Sequence, residues 1–168
     1  MRVYIPATFD MLGTLAEQGE MPVRSSVAYA LTPAVREFYT GGDEEELAYT
    51  AFLDAASASL RLLSAGDEQR FPHRRVVISA DVDDAQVELE PQSGESVVRL
   101  SPAMLKQSQL AAIHVDDEDA EETTAKAIVA VDAADLGDED AQITLGDCED
   151  NLMSWYDSKE LGVLVELM

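Results

Sequence analysis

Hydrophobic and polar positions alternate from the first residues of the chain. In Arg2 to Pro6 (RVYIP), Val3 and Ile5 fall on one face and Arg2 and Tyr4 on the other. This period of two predicts a first strand that ends at Pro6. After Thr8 the period lengthens, with Met11, Leu12, Leu15 and Ala16 at helical spacing between a capping threonine and Gly19. Ser26 to Leu31 (SVAYAL) alternates again and reads as a second strand. Pro33 opens a short helical turn through Phe38, stopped by Gly41 and Gly42.

The clearest helix spans Asp43 to Ala65. Asp43 is a good N-cap, and Glu44, Glu45 and Glu46 fill the first turn, where the helix dipole favours anions. Leu47, Ala51, Ala55, Ala58 and Leu62 form an expected inward stripe, widened by Phe52 and Leu63, opposite Thr50, Asp54, Ser57, Arg61 and Ser64. Asp67 to His73 reads as a polar loop. Arg74 to Val82 (RRVVISADV) is a continuous apolar run, as expected of a central strand.

Val87 to Leu89 and Val97 to Leu100 are shorter strands around a Pro91–Gly94 turn. Leu110 to Val115 (LAAIHV) is another strand. It leads into Asp116–Asp119, expected to cap a helix that runs to about Leu136. Gln142 to Leu145 and Leu152 to Tyr156 read as weaker strands, and the apolar end from Leu161 fits either a strand or a helix. The sum is one α+β domain over residues 1–168, a mixed sheet with about three helices packed over one face.

Charge changes which partners fit. Thirty-four acidic against eleven basic residues give a net charge of −23, which opposes direct binding to nucleic acid or an anionic membrane. An apolar fraction of 46% nevertheless supplies a core, so the charge does not imply disorder. No apolar stretch matches a signal peptide or a membrane span, and the expected location is cytoplasmic. Cys148 lies between Asp147 and Glu149, which disfavour its thiolate.

Motifs for standard chemistry are missing. No acidic window has the spacing of a calcium loop, and no Cys/His pattern fits zinc. Gly41-Gly42 precedes four acids that would repel a phosphate, and no GxSxG is present. No metal or cofactor is therefore expected, and the sequence favours a non-enzymatic protein. The candidate binding residues are Arg36, Arg74, Arg75, His114, Asp116, Trp155 and Tyr156. His114 and Asp116 stand at a strand end, where α/β folds place functional groups, and could pair as a general base. The Arg70, His73, Arg74 and Arg75 cluster is expected to pair internally with acids, or to hold an anion. Trp155-Tyr156 suits a core or an interface.

Several segments resemble a family of uncharacterised proteins from actinobacteria. They are Arg2–Thr8 (RVYIPAT), Tyr29–Glu37 (YALTPAVRE), Asp43–Leu63, Ala111–Asp117 (AAIHVDD), Val131–Gln142 (VDAADLGDEDAQ) and Trp155-Tyr156. The resemblance implies a bacterial cytosolic setting and carries no catalytic or ligand residue with it. Three functions fit the sequence. The leading one is a protein-binding or regulatory module whose partner is another protein or a second copy, giving a homodimer. The second is a small enzyme or small-molecule binder with a cleft near His114/Asp116 and Arg74/Arg75. The third is an acidic mimic of nucleic acid.

Overall fold

The alternation at the start of the chain becomes the middle of a sheet. The computed structural model describes residues 1–66, 68 and 70–168. The strands are β1 (Arg2–Ala7), β2 (Glu20–Pro22), β3 (Val27–Tyr29), β4 (Val76–Asp81), β5 (Val87–Leu89), β6 (Val97–Leu100), β7 (Met104–Lys106), β8 (Leu110–Asp116) and β9 (Met153–Asp157). Seven of them form one sheet in the order β5-β6-β3-β1-β4-β8-β9, and β2 pairs with β7 in a small ribbon. All pairings are antiparallel, which corrects the mixed sheet expected from sequence. The uninterrupted apolar run in β4 does not signal parallel neighbours. It arises because β4 is a central strand covered on both faces.

The helices are α1 (Phe9–Gln18), α2 (Pro33–Phe38), α3 (Glu44–Ser64), α4 (Glu121–Asp135), α5 (Glu139–Glu149) and α6 (Leu161–Glu166). There are thus six α-helices among the described residues rather than about three, and they cover both faces of the sheet, not one. One face carries Val3, Ile5, Val76, Ile78, Ile113 and Val115, packed with Leu12 and Leu15 of α1 and Leu161 and Leu164 of α6. Each such buried aliphatic side chain contributes on the order of 2 kcal/mol. The apolar C-terminal end is thereby consumed inside the fold as a helix, and Gly13 of α1 faces Val165.

The other face carries Val77, Tyr4, Tyr29 and Met153 against Ala55, Ala56 and Phe52 of α3. Asp43 caps α3 by accepting a hydrogen bond from the Glu46 amide at 2.9 Å. Its buried stripe runs through Leu47, Ala51, Ala55, Ala56, Ser59, Leu60 and Leu63, rotated from the expected line through Ala58 and Leu62. The rotation follows from a second neighbour, since Leu60 also packs on Ala127, Val131, Leu145 and Cys148 of the α4–α5 hairpin. Ser59 joins α3 to the sheet by donating to the Ala7 carbonyl and accepting from the Val76 amide.

Two further local expectations change. Gln142 to Leu145 belongs to helix α5, capped by Asp138; only Leu145 and Cys148 are buried, too sparse a stripe to reveal the period. Asp116 ends β8 instead of capping a helix, and a short 3-10 turn over Glu118–Ala120 precedes α4. The predicted loop at 67–73 includes Asp67 and Gln69, which lie outside the described residues. No helix is long and apolar enough to cross a membrane among the described residues.

Candidate functional site

Residues that alternate along a strand share one face, and register then aligns them across the sheet. Arg2 stands opposite Asp81 and Tyr4 opposite Ser79 on the α3 side. In the adjoining pairs, Val77 stands opposite His114, and His114 opposite Trp155. The register shifts between Ser79 and Ala80, leaving one extra residue on β8 beside Ser79. Bulges of this kind re-aim side chains. Above the sheet, Glu45, Ala48, Tyr49 and Phe52 lie at successive helical spacings along α3.

Between these two layers runs an open groove of about 450 Å³. Its lining includes Tyr4, Tyr49, Phe52 and Trp155, with His114, Ser79, Arg2 and Glu45 as polar groups. The volume lies within the range of small-molecule sites. Tyr49 stacks on Phe52 at 5.6 Å between centroids, and Phe52 meets Tyr4 and His114 edge-on at 6.0 and 4.8 Å. Trp155 is 60% exposed, unusual for the chain's single tryptophan.

His114 Nε2 lies 2.9 Å from Ser79 Oγ. Burial first, and then the positive charge of Arg2, hold its pKa down at about 4, so the ring is neutral at pH 7. Arg2 is itself gripped by Asp81 through contacts of 2.7 and 3.1 Å. That hydrogen-bonded pairing raises the Arg2 pKa and lowers that of Asp81. Burial raises the Tyr4 hydroxyl.

Asp116, two residues beyond His114, belongs to a different arrangement. Its carboxylate accepts from Arg75 Nε at 2.9 Å, Arg75 Nη2 at 2.8 Å and the Arg75 amide at 2.8 Å. Thr124 of α4 donates to the same carboxylate at 3.3 Å, and Arg75 Nη2 also donates to the Asn151 carbonyl at 3.1 Å. Both charged side chains are essentially sealed, at 2% and 0% exposure. Burial opposes the Arg75 charge, but the Asp116 hydrogen bonds and charge outweigh it and raise the pKa. Cys148 sits against Thr124 with its thiol pKa raised by burial, which disfavours the thiolate.

The sequence candidates therefore separate. His114 and Trp155 enter the groove, while Tyr156 turns to the opposite face and packs on the core there. Arg75 and Asp116 lock the end of the sheet to α4. Arg74 pairs with Glu121 at 2.6 Å. Arg36 pairs with Glu44 at 2.8 Å, in a smaller depression that shares Arg2, Tyr4, Glu45 and Ala48 with the groove. Sequence reasoning missed Tyr49, Phe52, Ser79 and Glu45. For Ser79, the one polar residue inside the apolar run of β4, a signal was present. Among the described residues, no three His, Cys, Asp or Glu side chains converge as metal ligands would.

A family model described as a family of unknown function matches residues 1–165. Neither the curated proteins nor the solved structures give a match.

Proposed function

The chain belongs to DUF6912, a family of unknown function, and from that starting point we propose a non-enzymatic binding module that works through the α3 groove. The observation that carries this reading is four aromatic side chains lining one preformed cavity of about 450 Å³. Cavities with apolar walls and a few convergent polar groups are where small ligands bind. A cytoplasmic location belongs to the same proposal and rests on the sequence reading above.

The Ser79–His114 contact resembles part of a hydrolase dyad, but the physical chemistry favours binding. Ser79 lies within a strand and is buried, whereas serine nucleophiles are exposed on tight turns. An imidazole of pKa about 4 is a weak base, and among the described residues no carboxylate bonds its other nitrogen. The pair serves better as a polar floor that fixes the orientation of a ligand.

Trp155 supplies the test, because its emission reports only on this region. A fluorescence screen of small uncharged and charged aromatic and aliphatic compounds should yield saturable shifts. Ala48→Phe, which fills the groove, should abolish them while the thermal unfolding curve stays close to wild type. Ligands that bind the filled variant equally well would refute the reading.

A second reading, a protein partner or a second copy, is favoured by Trp155 on β9, the last strand of the sheet, and Leu152 just before it, both standing exposed. Mass in solution tests the homodimer. A monomer at micromolar concentration would remove it, and mutual repulsion between chains of net charge −23 points that way.

A further inference from the structure

We infer that the α3 groove takes a small quaternary ammonium solute, an alkylated cation held against its aromatic walls; the inference rests on the groove being the binding site. Aromatic faces attract cations through their negative quadrupole, most strongly when the cation is weakly hydrated, as alkylated ammonium groups are. Tyr4, Tyr49, Phe52 and Trp155 all line this one cavity. Tyr49 and Trp155 remain about half or more exposed, so part of each ring is free to meet a ligand.

Charge at the mouth has the matching sign. The charged lining residues are Arg2 and Glu45. Arg2 is paired with Asp81 through two hydrogen bonds, so its charge, which His114 still feels, is offset at the rim by that carboxylate. Glu45 forms no ion pair among the described residues, since the Arg36 guanidinium beside it is taken by Glu44. Arg2, Asp81 and Glu45 together therefore leave one negative charge at the rim. His114 is neutral at pH 7 and adds no competing cation. The field of the whole molecule, at −23, also draws cations in. An anionic ligand would meet the opposite situation, with no unpaired cation among these lining residues to receive it.

The experiment compares choline with its uncharged isostere 3,3-dimethylbutan-1-ol, read by Trp155 emission and by titration calorimetry at low salt. Choline should bind saturably and roughly tenfold more tightly than the isostere. Glu45→Gln and Tyr49→Ala should each weaken choline several-fold, and Glu45→Gln should leave the isostere unchanged. Equal binding of the two probes would overturn the cation assignment while leaving the groove as a binding site. No response to either probe at tens of millimolar would also overturn it, and the Ala48→Phe screen then judges the groove independently. A peptide carrying trimethyllysine that binds more tightly than choline would overturn the assignment to a free solute.

Discussion

His114 and Asp116 stand two residues apart on one strand and on one face of one sheet, yet they belong to regions of opposite character. Around Asp116 both charges are matched: Arg75 and Thr124 donate to its carboxylate, and the ion pair is sealed beneath α4, with the Asn151 side-chain amide the one buried donor left without a partner among the described residues. Around His114 a single hydrogen bond to Ser79 is made, and aromatic rings open to solvent complete the surroundings. The first region is a joint and the second a surface held ready for a ligand. What separates them is whether the fold itself supplies all the partners, since an ion pair closed on both sides has nothing left to offer a substrate.

The largest way to break this comparison is to open the joint. Asp116→Ala leaves the Arg75 guanidinium buried without its counter-charge and should cost about 3–5 kcal/mol in urea unfolding. Replacing both partners together, Arg75→Met with Asp116→Leu, should recover most of that loss, because well-packed apolar side chains can substitute for a buried pair. A loss below about 1 kcal/mol for Asp116→Ala would mean that the joint is wet.

Acid is the next probe, and it acts on the groove. The unfolded His114 ring titrates at its ordinary value of 6.5 and the folded ring at about 4. Between these values the unfolded chain binds more protons, so the stability tied to the neutral ring is complete above pH 6.5 and is lost as pH falls toward 4. Comparing wild type with His114→Gln across that window should reveal a differential loss on the order of 2 kcal/mol, discounted because one side of the ring meets solvent. Parallel acid curves for the two proteins would contradict a desolvated imidazole.

Smaller effects sharpen the contrast. Trp155→Ala removes a largely exposed side chain and should change stability by less than about 1 kcal/mol while weakening ligand binding to the groove as measured by titration calorimetry. Arg36→Ala breaks an exposed pair with Glu44 and should stay within about 0.5 kcal/mol of wild type in thermal unfolding.

The two regions were unequally legible in the sequence. Alternation in RVYIP already put Arg2 and Tyr4 on the face opposite Val3 and Ile5, and that face became the groove floor. Helix α3 was readable from its cap and its stripe. What brings Tyr49 and Phe52 over Tyr4 and His114 is tertiary packing between elements far apart in the chain, and no local period encodes it. Asp116 was misread because three aspartates among four successive acids offer equally good caps. The choice was made by Arg75, 41 residues upstream, which claims Asp116 for the sheet. Helix α6 hid in an apolar stretch short enough for either period. Its burial against α1 also means that deleting Leu161 to Met168 would strip the core.

The central claim is that the α3 groove is a preformed, open binding wall with a desolvated, neutral imidazole in its floor. Proton NMR of the imidazoles across pH tests it most directly, since His73 and His114 are the chain's two histidines and a His73→Gln variant assigns them. The account predicts that His114 titrates at about 4. A midpoint near 6.5 would show the ring bathed in water and would contradict the account.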